Sequence, residues 1–289
     1  SGEFHRLIKP QVYTQMHYVI SEVTHMDMWE LRHHGEDFAN AVSNFIEWCG
    51  EDCVYCTWGS MDLTELQRNM KYFGVKNSFP KPLFYYDVQK LYARFYKDGM
   101  KPSLDSAVDE LGLREERTFH PALDDAYYTG KLLAQMAKEV GAERLLQYRS
   151  IDYFRLPSHK EEEVRMVFPD YSKYVSLIFD SKEAAMKERS VAEMKCYKCG
   201  RMLRKKVRWF TPNQKIYYGL AICPEHGYLK GKVRMKKVDE NQIYVVKTLK
   251  LTDEEGAKQI ICRKDDVRKK RAERSRENKK RQKKMEEGE

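Results

Sequence analysis

Cys53-Val54-Tyr55-Cys56-Thr57-Trp58-Gly59-Ser60-Met61-Asp62-Leu63 and, further on, His120-Pro121-Ala122-Leu123-Asp124-Asp125-Ala126 decide how this chain is read. In the first stretch, residues 52–57 read as a short buried strand. It leaves through Trp58-Gly59-Ser60-Met61 into a helix that begins near Leu63 and runs to about Phe73. Asp62 falls where strand hands over to helix, and open α/β sheets gather ligands at the carboxyl ends of their strands. Alone, such an aspartate more often simply caps its helix. The second stretch opens a long helix over 121–140, with Leu123, Ala126, Leu132, Leu133 and Met136 on its apolar side. Asp125 and Ala122 share one face, the alanine leaving room for metal or substrate. Asp124 points elsewhere, toward solvent or the helix N-terminus, and His120 lies in the preceding turn, free to swing over the site. The plainer account is an exposed loop histidine and two helix-start carboxylates, worth a few tenths to about one kcal/mol each.

Working outward, residues 2–9 alternate loosely up to Pro10, as a strand would. Residues 36–49 carry Phe38, Val42, Phe45, Ile46 and Cys49 at helical spacing, with Asp37 to cap and Gly50 to close. Residues 83–88 form a further strand, and Ser103 opens a short helix through Leu111. Strands alternating with helices predict an α/β domain with a mixed sheet over residues 1–150. Residues 151–194 read as a charged, Tyr-rich connector with a helix from Ser181 to about Glu193. Residues 195–252 read as a small β-rich module, with strands Leu203–Phe210, Ile216–Ile222, Gly231–Val238 and Gln242–Lys250. Residues 253–289 are a basic polar tail, either a helix or a disordered arm.

Taken together, the two opening stretches resemble the second and third motifs of the DnaQ-like DEDDh 3′→5′ exonucleases. Trp58-Gly59-Ser60-Met61-Asp62 is most similar to the subgroup holding the predicted sporulation-inhibitor exonuclease and the eukaryotic small-RNA-trimming exonucleases. The intervening order agrees: strand 83–88, then Ser103-Leu104 leading into a helix that ends at Gly112-Leu113. The resemblance covers residues 1–145. It implies a ribonuclease H-like mixed sheet flanked by helices, with Asp62 and Asp125 ligating two Mg²⁺ or Mn²⁺ ions and His120 as general base. It implies a single-stranded RNA or DNA 3′ end as substrate, RNA first. The chemistry is coherent: paired hard cations hold the attacking and leaving oxygens of a phosphodiester, carboxylates are the ligands they prefer, and a histidine takes the water's proton. The family's first motif, an Asp-x-Glu on an opening strand, does not occur before Asp62; the one Asp-x-Glu is Asp253-Glu254-Glu255. The chain is therefore expected to lack the family's opening strands and to be weak or inactive as it stands. The alternative is a non-catalytic nucleic-acid or protein binder with a degenerate exonuclease fold.

Composition and charge point the same way. With 289 residues and 42% hydrophobic content the chain can bury a core. It contains no apolar run of about 18 residues, and its polar start is not that of a signal peptide. Seven cysteines, an odd count, fit a reducing compartment, the cytoplasm. The net charge of +9 is unevenly spread: residues 1–194 carry −7, residues 195–238 carry +12 with Glu225 as their one acid, and residues 263–289 carry +6. Positive charge concentrated in this way predicts a polyanion partner. Within the basic segment, Cys196-Tyr-Lys-Cys199-Gly200 and Cys223-Pro-Glu-His226-Gly227 each place two ligands on one tight turn, 23 residues apart. The spacing predicts one structural Zn²⁺ in a zinc ribbon. Cys53 and Cys56 read as core residues, Cys262 as a lone thiol, and His33-His34 as part of a polar loop with no role.

Overall fold

The computed structural model describes residues 2–286, with side chains to residue 278. The chain divides into two units, Ser1–Arg155 and Leu156–Glu289.

The first unit is mixed α/β, the class expected. Its elements run α1 (Tyr18–Thr24), α2 (Met28–His34), α3 (Phe38–Cys49), β1 (Cys56–Thr57), α4 (Met61–Tyr72), β2 (Phe84–Asp87), α5 (Val88–Tyr96), α6 (Leu104–Glu110), α7 (Ala122–Met136), a π-helical turn (Ala137–Gly141), α8 (Ala142–Leu146) and β3 (Ser150–Ile151). Strand β1 pairs parallel to β2, and β2 antiparallel to β3. Helix α3 buries Ala41 and Val42 and stops at Gly50, whose φ of +70° suits glycine; Asp37 stands at the cap position but makes no capping hydrogen bond. One core joins Val88, Leu91, Tyr92, Ala107, Val108, Tyr128, Leu132 and Met136 from α5, α6 and α7. A second joins Val42, Leu63, Met70, Phe79, Leu83 and Tyr85.

Several expectations are corrected here. Residues 2–9 form no strand: among the described residues their backbone-to-backbone hydrogen bonds are those with Glu36, Lys9 N to Glu36 O and Glu36 N to Leu7 O, both 2.9 Å. Alternation without a neighbouring ladder does not make a strand. The long helix stops being α-helical at Met136, where the wider π turn takes over. On α7, Ala126 is exposed, and Tyr128, not among the apolar positions anticipated, is fully buried. Cys56 is exposed, so it is not a core residue. His33 and His34 belong to the last turn of α2, not to a loop, with Trp29 packed 4.4 Å and 5.7 Å from their rings.

The second unit is an antiparallel six-stranded sheet in the order β4-β5-β9-β8-β7-β6. Its strands are β4 (Val164–Val167), β5 (Tyr171–Phe179), β6 (Lys205–Phe210), β7 (Ile216–Cys223), β8 (Gly227–Lys237) and β9 (Ile243–Thr252), with helices α9 (Lys182–Lys187), α10 (Arg189–Ala192) and α11 (Glu254–Glu286). The stretch expected as a connector thus supplies two strands. Its buried positions, Val164, Met166, Tyr174 and Val175, are interleaved with Arg165 and Lys173, which masks the pattern. The single helix expected after Ser181 breaks at Glu188, whose backbone is extended. The sheet is therefore larger than a ribbon, and the tail is helical.

Its two faces differ. On one, Tyr174, Val233, Met235, Ile243 and Val245 pack with Ala185 and Val191 from α9 and α10. Trp209 lies flat over Gly219 and Gly231 on this face; a Cβ on Gly231 would come within 2.4 Å of the indole, so only glycine fits. The indole N–H donates to Ala192 O at 2.7 Å. Lys247 is buried beside it, donating to Ser190 O and Glu193 O at 2.5 Å and 2.9 Å and so satisfying the carbonyls around α10. On the other face α11 presses Ala257 and Ile260 onto Val207 and Leu220.

Candidate active site and metal centre

Strand β1 and strand β2 end side by side, Thr57 in register with Asp87. From Thr57 the chain turns sharply: the Thr57 hydroxyl donates to Gly59 O at 2.6 Å, and Gly59 takes a φ of +100°. Helix α4 then begins at Met61, so Asp62 lies in its first turn, at the surface. Leu63 behind it is buried and pins that turn to the core. Helix α7 is pinned by Tyr128 and Leu132. The Tyr128 hydroxyl accepts from Glu115 N–H at 3.1 Å and faces the carbonyls of Glu115 and Arg117 at 3.1 Å and 3.0 Å, while Phe119 stacks on its ring at 4.7 Å. These contacts fix the loop that delivers His120. His120 has a φ of +85°, a conformation that costs a non-glycine residue energy, and its N–H donates to Asp125 Oδ1 at 3.2 Å. Asp124 faces away from that contact, into Arg117 at 3.2 Å and the Thr118 hydroxyl at 3.3 Å.

Asp62 and Asp125 come together in space. Partial desolvation, and then the Asp125 carboxylate, push the Asp62 carboxyl above the ordinary carboxylate range. A divalent cation held by both carboxylates would relieve that repulsion. Behind them lie acids the sequence reading missed. Asp87 is buried at the end of β2, caps α5 through Lys90 N–H at 2.9 Å, and has the Lys90 ammonium 2.7 Å away. Asp152 is buried, accepting from Gln67 Nε2 at 3.0 Å and Phe154 N–H at 2.9 Å. Burial first, then Asp87, Asp152, Tyr153 and Asp62, drive the Tyr85 phenol well above its ordinary range. Trp58 has its indole N–H buried without a hydrogen-bond partner among the described residues. The signal for Asp87 was present in the sequence: an acid ending an apolar strand, three residues before Lys90.

Residues 1–133 match the exonuclease family model, RNase_T. No curated protein and no solved structure matches the chain. The match supports a nuclease function, a hydrolase whose substrate is nucleic acid, and the mixed α/β architecture is consistent with a ribonuclease H-like exonuclease fold. Asp62, His120 and Asp125 all fall inside the matched exonuclease region.

The second cluster lies outside that region. The first knuckle is closed by Gly200 N–H to Cys196 O at 2.8 Å and Cys196 N–H to Arg201 O at 2.9 Å, with Gly200 at a φ of +73°. The second is the tip of the β7–β8 hairpin, Cys223 in register with Gly227. Cys196 Sγ to His226 Nδ1 is 3.8 Å, Cys199 Sγ to Cys223 Sγ 3.6 Å and Cys223 Sγ to His226 Nδ1 3.6 Å. All four ligand atoms lie within 4.8 Å of one another. Tetrahedral bonds of about 2.3 Å to sulfur imply edges of about 3.7 Å, so the Cys3His cluster is compatible with zinc. No helix among the described residues is long and apolar enough to cross a membrane.

Proposed function

We propose that the first unit is a metal-dependent 3′→5′ exonuclease that shortens a single strand, RNA first, one nucleotide at a time. The observation that carries this reading is that Asp62 and Asp125, on two separate helices inside the exonuclease-matching region, lie near enough for the Asp125 carboxylate to add to the raising of Asp62. Asp62 and Asp125 would hold Mg²⁺ or Mn²⁺, which when bound neutralises phosphate charge and acidifies water. His120 takes the proton of the attacking water. The water oxygen bonds to phosphorus, the bond from phosphorus to the 3′ oxygen of the preceding nucleotide breaks, and that oxygen takes a proton from solvent. The products are a nucleoside 5′-monophosphate and a strand one residue shorter with a free 3′ hydroxyl. The strained backbone at His120, tied to Asp125, keeps the base and the metal carboxylate in one rigid unit. In the second unit, Cys196, Cys199, Cys223 and His226 would hold one structural Zn²⁺; four protein ligands leave no position open for catalysis.

The test is incubation of the chain with a 5′-labelled single-stranded RNA, and its DNA counterpart, in Mn²⁺. A slow descending ladder is expected, as befits a chain without the family's Asp-x-Glu before Asp62, faster on RNA, and lost in Asp62→Ala, Asp125→Ala and His120→Ala. Products cut internally, or a ladder unchanged in all three variants, would reject the assignment.

A further inference from the structure

The face of the second sheet on which α11 packs carries a row of cations along β8. Paired residues of an antiparallel ladder share a face. Leu220 pairs with Lys230, Tyr218 with Lys232 and Ile216 with Arg234, so these three cations stand on the face where α11 buries Leu220. They occupy alternate positions of β8, about 6.8 Å apart along the strand. From above, α11 adds Arg263, its guanidinium 4.6 Å from the Tyr218 ring centroid, while the Lys232 ammonium lies 5.9 Å from the same centroid. Among the described residues none of Lys230, Lys232, Arg234 and Arg263 makes an ion pair.

Two observations show that this charge is poorly screened. Partial burial, and then Arg234 and Arg263, hold the Lys232 ammonium below its ordinary range. Lys230 stands directly opposite Lys250, a like-charge cross-strand pair that destabilises a sheet; Lys250 has an acid, Asp170, at 3.7 Å, and no ion pair of Lys230 occurs among the described residues. A polyanion laid along β8 relieves both. Of the apolar side chains on this face, Leu220 and Val246 are buried, Ile216 and Tyr218 are half-buried and Ile222 at the end of β7 is exposed, so the cations rather than an apolar patch dominate it.

We infer that this face is a docking surface for the phosphodiester backbone of a nucleic acid strand, with Lys230, Lys232, Arg234 and Arg263 as its phosphate contacts. The choice of nucleic acid over other polyanions rests on the nuclease reading of the first unit. A strand bound here is held on the same chain as that unit, which raises its local concentration as substrate.

The test is fluorescence anisotropy of the full chain with a labelled oligouridine, without added Mg²⁺ or Mn²⁺. Lys230→Gln/Lys232→Gln/Arg234→Gln, with zinc content and circular dichroism unchanged, is expected to bind at least about tenfold more weakly. The slope of log K against log salt should fall by about 2, near 0.7 per lost phosphate contact. The equal-charge control Lys138→Gln/Lys182→Gln/Lys187→Gln should bind within about twofold of the parent chain. An unchanged affinity and slope in the β8 variant, or an equal loss in the control, would overturn the proposal. So would tighter binding to phosphatidylserine vesicles with the same residue dependence. Asp62→Asn/Asp125→Asn should bind the oligomer normally, so an inactive chain that still binds through β8 separates failure of the nuclease reading from failure of this one.

Discussion

The Cys3His cluster of the second unit and the Asp62–Asp125 pair of the first are assembled by opposite means. The cluster draws two ligands from each of two tight turns, so spacing inside each turn fixes half of the geometry before the sheet forms. Antiparallel pairing of β7 with β8 then sets one turn, and the Lys195–Met202 bridge the other. Cys196 and Cys223 are buried, while Cys199 and His226 are exposed. The carboxylates come one each from the first turns of α4 and α7, and only Leu63, Tyr128 and Leu132 in the cores behind them hold the register. They lie near the surface and repel one another. On the proposed reading, the difference separates a site whose own metal would stabilise the fold from a carboxylate pair whose repulsion a divalent cation would relieve.

If that contrast is right, breaking each site has different consequences. Cys223→Ser should cost the second unit several kcal/mol and most of its bound zinc, since metal binding and folding are one equilibrium in such sites. Zinc content and thermal unfolding would show it, with the first unit's transition unmoved. Asp125→Asn should do the reverse: nuclease rate down by on the order of 10²-fold or more, as for loss of one preorganised electrostatic group. Its unfolding midpoint should stay close to that of the parent chain. Retention of zinc by Cys223→Ser would break the comparison on one side, and retention of activity by Asp125→Asn on the other.

Smaller effects sharpen it. Burial pushes the Lys247 ammonium down to about 8, against an unfolded value of about 10.4. Between those values the unfolded chain holds a proton that the folded chain has released, so stability rises with pH across the window and is lowest below about pH 8. Relative to Lys247→Met, the chain should gain about 2–3 kcal/mol between pH 7.5 and pH 10 in urea unfolding. A flat difference would mean the amine is not desolvated. Gly231→Ala should destabilise the second unit by about 1–3 kcal/mol, because Trp209 must leave its place over the sheet; an unchanged midpoint would show that the indole is free to move.

What was legible in the sequence follows the same divide. Short-range chemistry could be read directly: Gly50 closing α3, Asp62 at the start of α4, and two ligands on each knuckle all depend on a few neighbouring residues. Long-range burial could not. Strands β4 and β5 are each interrupted by a charge, Arg165 and Lys173, and are strands because β5 pairs with β9 and β4 with β5, whereas residues 2–9 alternate as well and, among the described residues, bridge to Glu36 alone. Asp152 and Tyr128 became visible only once the core had brought Gln67 and the Glu115–Arg117 backbone against them, whereas Asp87, ending an apolar strand three residues before Lys90, carried a local signal. The four cations of the β8 face were visible as positive charge, but register alone shows that three of them share a side with Arg263.

The most direct test of the central claim is Mn²⁺ binding to the zinc-loaded chain, followed by the loss of the free-ion electron paramagnetic resonance signal. The account predicts saturable Mn²⁺ uptake that disappears in Asp62→Asn/Asp125→Asn while zinc content is unchanged. Uptake that persists in that variant would place the divalent-cation site elsewhere and contradict the pairing of Asp62 with Asp125 as its ligands.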